Sequence, residues 1–155
     1  MTQQAKISIQ QETFDLAQEM QSLAQGRADV GAIVTFTGLC RDENAALSAL
    51  ELEHYPGMAE DEIARVVSQA QARWPLLGVT VIHRYGRMAP GDQIVLVITA
   101  SSHRLAAFES AEFLMDYLKT RAPFWKKEHR SDGTSGDWVS AKDHDDHAAA
   151  RWEQT

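Results

Sequence analysis

Residues 119–130 carry Lys119, Arg121, Lys126, Lys127 and Arg130 against one carboxylate, Glu128, in a chain of 155 residues whose formal net charge is -7. A local reversal of sign on an acidic protein suggests an anion site. Pro123, Phe124 and Trp125 sit among these cations, so the segment is stiff and apolar rather than a basic tail. A neighbouring positive charge disfavours the protonated form of an amine. Lys119, with Arg121 and Lys126 close in sequence, is therefore the candidate proton carrier. Arg41 follows the β-branched run Gly31 to Gly38, and its planar fork suits a phosphate. His103 and Arg104 open a long apolar-striped segment, where a helix N-terminus would attract anions.

Other residues invite chemistry less strongly. Cys40 is the one cysteine, which excludes an internal disulfide framework and fits a reducing cytoplasm. A lone cysteine reads as a small buried hydrophobe. His144 and His147 flank Asp145 and Asp146, but without cysteines they read as solvated surface, and no metal is expected. Met115, Phe108 and Leu118 read as core, whereas Trp125 fits either core or a pocket wall.

The elements that must position these residues are legible from periodicity. Lys6 to Gln10 alternates as a short strand. Phe14, Leu16, Ala17, Met20 and Leu23 fit a helix with Thr13 as N-cap and Gly26 as stop. Gly31 to Gly38 is a strand, Leu39 to Asn44 a loop, and Ala49 to Tyr55 a strand ended by Pro56-Gly57. Met58 to Arg73 reads as a helix. Val79 to Tyr85 and Ile94 to Ala100 are strands joined through Pro90-Gly91-Asp92. Ser102 is the expected N-cap of a second long helix, which Pro123 limits. Phe124 to His129 and Asp137 to Ala141 are expected to close as a strand pair. The order βαββαββαββ predicts an α+β fold, with helices packed on a largely antiparallel sheet. Length predicts a single domain over residues 1–155, with a flexible tail from about residue 143. The N-terminus shows no apolar signal core, Ile94 to Ala100 is too short to span a bilayer, and no basic stripe suggests nucleic acid.

Several segments together resemble one family. These are Gly31 to Gly38 with Arg41, Leu52-Glu53-His54-Tyr55-Pro56-Gly57-Met58, Val81-Ile82-His83-Arg84, Pro90-Gly91-Asp92, Ser102-His103-Arg104, and Met115 to Lys126. In collinear order over roughly residues 28 to 142 they look like the MoaE family, the catalytic large subunits of molybdopterin synthase. The resemblance implies an α/β-hammerhead fold and a sulfurtransferase. Its members convert cyclic pyranopterin monophosphate (precursor Z) into molybdopterin by inserting two dithiolene sulfurs. The sulfur arrives as a thiocarboxylate on the C-terminal Gly-Gly of a small ubiquitin-like subunit. A homodimer of large subunits with a small subunit at each end makes a heterotetramer. No cofactor is implied.

By the same resemblance Lys119 and Lys126 are catalytic. Leu39, Cys40, Arg41, His103, Arg104, Lys127, Glu128 and Lys142 join them in binding substrate. Leu39 is a departure, since the family commonly has a lysine there. Two rivals stand beside this reading. One is a noncatalytic anion-binding or adaptor module of the same fold, against which the retained Lys119 and Lys126 argue. The other is an acyl- or thiol-transferase using Cys40 with a histidine.

Overall fold

The structure, a computed structural model, describes residues 4–42, 45–121, 123–139 and 150–154. Strands β1 (Gln4–Gln10), β2 (Ala32–Leu39), β3 (Leu47–His54), β4 (Leu76–Arg84), β5 (Gly86–Met88), β6 (Gln93–Ser101) and β7 (Phe124–Arg130) are interleaved with helices α1 (Leu16–Ala24), α2 (Met58–Arg73) and α3 (Arg104–Arg121). A short 3-10 turn, Arg151–Gln154, follows. The strands form a four-stranded sheet, β1-β4-β6-β2, and a three-stranded sheet, β5-β3-β7. Strand β1 runs parallel to β4, and the other pairings among the described residues are antiparallel. The α+β expectation holds. No helix among the described residues is long and apolar enough to cross a membrane.

The larger sheet is covered on both faces. On one, Val79, Val81 and Val97 meet Ile63, Val66, Val67 and Ala70 of α2 and Ala111, Phe113, Leu114, Tyr117 and Leu118 of α3. On the other, Ile82, Leu96, Ile98 and Ala100 meet Phe14 and Leu23. Alternation along β4 and β6 thus feeds two cores from one sheet. Gly78 allows the second core to close, because a Cβ there would sit 2.7 Å from Leu23 Cδ2. Thr99, fully buried on β6, donates its hydroxyl to the Ala107 carbonyl at 2.6 Å and ties α3 to the sheet.

The helix Met58–Arg73 has the bounds its periodicity implied. Gly57 takes a positive φ of 86° before it, and its N–H donates to the Glu60 carboxylate at 3.1 Å. Other boundaries differ from expectation. Asp15, not Thr13, caps α1 by accepting from the Gln18 N–H, so Phe14 is a buried residue ahead of the helix. Ser102 does not cap α3. Its hydroxyl donates to the Asp29 carbonyl instead, and the helix begins at Arg104. Leu39 ends β2 rather than opening the loop. Gly86–Met88 forms β5, which was not anticipated. The expected strand Asp137 to Ala141 is replaced, among the described residues, by isolated bridges of Lys126 with Val139 and His129 with Ser135. Phe108 is 60% exposed and Trp125 38% exposed, so neither is core.

The final turn is pinned to α2 and α3. Trp152 Nε1 donates to Asp116 at 2.6 Å, and Arg73 donates to the Trp152 carbonyl at 3.0 Å. The Arg73 guanidinium lies 4.9–5.5 Å from the ring centres of Trp74, Phe113 and Trp152. Removing this half-buried indole by Trp152→Ala is expected to cost about 2 kcal/mol and to lower the melting midpoint by roughly 4–8 °C. A thermal melt at fixed pH checks this, and an unchanged midpoint would show that the anchor is ornamental.

Candidate active site

The cationic segment begins on a helix and ends on a strand. Lys119 is exposed near the end of α3, and no carboxylate pairs with it among the described residues. The chain then turns at Pro123 into β7, which lies antiparallel to β3 with Phe124 opposite His54, Lys126 opposite Leu52 and Lys127 opposite Glu51. Side chains alternate across a strand, so this register sorts the candidates. Phe124, Lys126 and Glu128 share one face with His54. Trp125, Lys127 and His129 share the other with Glu51. Lys127 lies 5.6 Å from the Trp138 ring centre, and His129 Nε2 is 2.9 Å from Glu51 Oε1. The structure therefore separates Lys127 from Lys126, although they are adjacent in sequence. The Lys126 backbone exchanges two 2.9 Å hydrogen bonds with Val139, which fixes this end of β7.

A second group is held by the β5–β6 turn. The Cys40 N–H donates to the Asp92 carbonyl at 2.8 Å, and the Gly91 N–H donates to the Cys40 carbonyl at 2.7 Å. The Asp92 carboxylate accepts from Ala89 N–H at 2.8 Å and keeps that turn tight. Pro90-Gly91-Asp92 thus serves as a clamp on Leu39, Cys40 and Arg41. Leu39 and Arg41 are exposed, whereas Cys40 is buried. Burial pushes the Cys40 thiol up, and the Asp92 and Asp42 charges add to this. A thiol held protonated and enclosed is a poor nucleophile, which removes the ground for a transferase built on Cys40.

Topology decides which candidates meet. Leu39 pairs with Gln93 and His83 with Val95, so the end of β2, His83 and the start of β6 lie at one end of the larger sheet. Helix α3 leaves β6 at the opposite end and returns along the sheet. Its last turn, with Lys119, therefore reaches the His83 end, and the positive charge of Lys119 is felt at the His83 ring. His103 and Arg104 are exposed at the other end of α3. Fifteen residues separate Arg104 from Lys119, which is about 22 Å along a straight helix. Lys142, His144 and His147 lie outside the described residues, and the Arg121 side chain is likewise not described.

Two histidines packed near Phe124 were quoted in sequence motifs without a role. The His83 ring stacks on Phe124, with centroids 3.8 Å apart and planes 16° from parallel. His54 packs 4.5 Å from the Tyr85 ring and 6.0 Å from Phe124. The signal was a histidine in the apolar strand Val79-Thr80-Val81-Ile82, where only an enclosed role suits it.

Although His83 keeps some exposure as a residue, its ring is enclosed. Burial, with smaller contributions from the Lys119 and His54 charges, holds its pKa down at about 4 against a hydrogen bond to the Arg84 carbonyl. An unfolded histidine titrates near 6.5. Between these values the unfolded chain binds a proton that the folded chain does not, so stability falls as pH drops from about 6.5 toward 4. The loss attributable to His83 is expected to be roughly 2–3 kcal/mol. Urea unfolding at pH 7, 5.5 and 4.5 measures it. His83→Phe should flatten the dependence by that amount, and an unchanged pH slope in the variant would refute the assignment.

The MoaE protein family model matches residues 9–121. The molybdopterin synthase catalytic subunit of Mesorhizobium japonicum is 65% identical to this chain over 149 residues, covering 96% of this chain and 94% of that protein. The protein of the same name from Brucella melitensis is 61% identical over 148 residues, covering 96% and 91%. Among solved structures, the molybdopterin biosynthesis MoaE protein from Burkholderia ambifaria MC40-6 is similar with a TM-score of 0.83 at 49% identity, over 96% of this chain and 98% of that one. With the family match spanning most of the chain and relatives alike over nearly their whole length, the chain belongs to the MoaE family.

Proposed function

We propose that this chain is the catalytic subunit of a molybdopterin synthase, a sulfurtransferase that converts precursor Z to molybdopterin in the cytoplasm. The observation that carries the reading is the 65% identity to a relative of that name across nearly the full length of both chains. Both sulfurs arrive on the thiocarboxylated Gly-Gly terminus of a small ubiquitin-like subunit, and no resident cofactor is needed. Transfer from a thiocarboxylate develops negative charge and moves protons. Lys119 and Lys126 supply the charge and the proton carrier. Arg41, with Leu39 and Cys40 beside it, and His103 with Arg104 receive the substrate phosphate.

One small pterin cannot touch both ends of α3. The separation of Arg104 from Lys119 favours a site shared across a two-fold axis. Leu105, Phe108, Glu112 and Lys119 are exposed at helical spacing along one side of α3. Phe36 and Leu39 are exposed on β2, the edge strand beside α3. An apolar edge of this kind suits a partner copy. A two-fold axis across the middle of α3 would lay it antiparallel on its copy and set His103 and Arg104 of one subunit near Lys119 of the other. With a small subunit at each end, the assembly is a heterotetramer.

Mixing the protein with a thiocarboxylated small subunit and precursor Z, followed by a molybdopterin assay, tests the function. Lys119→Ala is expected to reduce product formation by at least about a hundredfold with the fold and partner binding intact. Lys119→Arg should not rescue it, because guanidinium keeps its proton near neutral pH. Turnover by the alanine variant at the wild-type rate would end the assignment.

The shared site has its own test. Arg104→Ala and Lys119→Ala proteins, each inactive alone, are mixed under conditions that exchange subunits. Each heterodimer then holds one site with both lesions and one intact site, so about a quarter of wild-type activity should return. Demonstrated exchange with no recovery would rule the arrangement out.

A further inference from the structure

We propose that Trp152 is a positioning residue for Lys119, whose indole N–H holds the Asp116 carboxylate and so keeps it from pairing with the lysine amine. The inference rests on the reading that Lys119 moves a proton. Asp116 and Lys119 stand three residues apart on α3, and Asp116 is the one carboxylate within a turn of Lys119 on that helix. At this spacing side chains are neighbours, and a carboxylate and an amine pair readily. Here they do not, since no carboxylate pairs with Lys119 among the described residues. Asp116 Oδ2 instead accepts from Trp152 Nε1 at 2.6 Å, a short bond of the charge-assisted kind.

Three elements fix where that N–H points. The Trp152 ring stands edge-on to Trp74 of the α2 end, with centroids 5.8 Å apart and planes at 84°. It stands edge-on to Phe113 of α3 as well, at 5.7 Å and 80°. Arg73 donates to the Trp152 carbonyl at 3.0 Å and lies 5.5 Å from the ring centre. The indole carries a donor and no acceptor, so it occupies a carboxylate oxygen without bringing a charge. A carboxylate released to the amine would favour its protonated form and offset the charge that an anionic substrate requires. The other charged and titratable groups toward this end of α3 are Arg73 from α2, Glu153 on the final turn, and His83 from β4, whose ring feels the Lys119 charge. The Arg121 and Arg151 side chains are not described.

The test follows the Lys119 amine itself. The full chain is labelled with 13C at lysine Cε, the Lys119 resonance is assigned by its loss in Lys119→Ala, and its titration midpoint is measured by NMR. Trp152→Phe keeps an aromatic ring and removes the donor. It is expected to raise the midpoint by at least about 0.3 pH unit, a twofold change in proton affinity. Adding Asp116→Asn to Trp152→Phe should bring the midpoint back to the wild-type value or below. With the thiocarboxylated small subunit and precursor Z near neutral pH, kcat should fall at least about twofold in Trp152→Phe and recover in the double variant. A merely structural anchor would lower the melting midpoint of Trp152→Phe and leave the Lys119 titration in place, and that result overturns the proposal. If Trp152→Phe does not fold, Asp116→Asn decides alone, because it keeps an acceptor for the indole. A fall of about 0.3 pH unit or more in it would show that the carboxylate already meets the amine, which refutes the role, and a smaller change supports it. A raised midpoint in Trp152→Phe with unchanged kcat removes the proton-moving reading of Lys119 and leaves the restraint on Asp116 standing.

Discussion

A helix is a rod, and α3 is the rod on which the arrangement of the candidate site depends. Its buried side is fixed by Ala107, Ala111, Leu114 and Leu118, and the Thr99 hydroxyl ties its first turns to β6. The cations at its two ends are therefore about 22 Å apart, and the Lys119 end is the one that reaches the His83 end of the sheet. His83 at the end of β4, the clamped segment Leu39 to Arg41, and the start of β7 all lie toward that end because β2, β4 and β6 are in register.

The second constraint is the pairing of β3 with β7. Its register sends Lys126 to the side of Phe124 and His54, and Lys127 to the side of Trp138 and Glu51. Two adjacent lysines of equal charge thereby acquire different surroundings. On one side the strand face carries Phe124 and His54, with Glu128 farther along it. On the other a glutamate pairs with His129 across the strands. A cation keeps its pull on an anionic ligand only where no carboxylate meets it first. The neutral wall of Phe124 and His83 beside Lys119 fits that requirement, and a locally positive site can persist on an acidic protein.

Much of this was legible in the sequence where local chemistry and tertiary packing agree. Helix α2 was found with both ends because Gly57, Glu60 and the apolar set Ile63, Val66, Val67 and Ala70 all point the same way. Pro123 marked the end of α3 for a steric reason that packing could not override. The failures have equally definite causes. Phe14 looked helical because it is apolar and in phase, yet it is buried ahead of the Asp15 cap. Phe108 looked like core because periodicity finds stripes but not what covers them. The segment after Gly136 looked like a strand, although among the described residues it meets β7 at one isolated bridge, Lys126 with Val139. The stack of His83 on Phe124 joins β4 to β7 across forty residues of sequence, a distance at which no local pattern carries information.

The exposed stripe of α3 connects the fold to the assembly. Leu105 and Phe108 are large apolar side chains facing away from their own sheet, on the same side of the helix as Lys119. In a lone subunit this surface has no energetic reason to be apolar, since burial of such side chains yields roughly 1.5–3 kcal/mol each only when something covers them. A second copy laid antiparallel would cover Leu105 and Phe108 and bring the His103–Arg104 end to the Lys119 end in one step. Dimerisation would then bring together two groups of cations that the length of α3 keeps apart in one chain, so the hydrophobic contact that holds the pair together would also set the distance between the cations proposed to bind phosphate and the lysine proposed to move a proton.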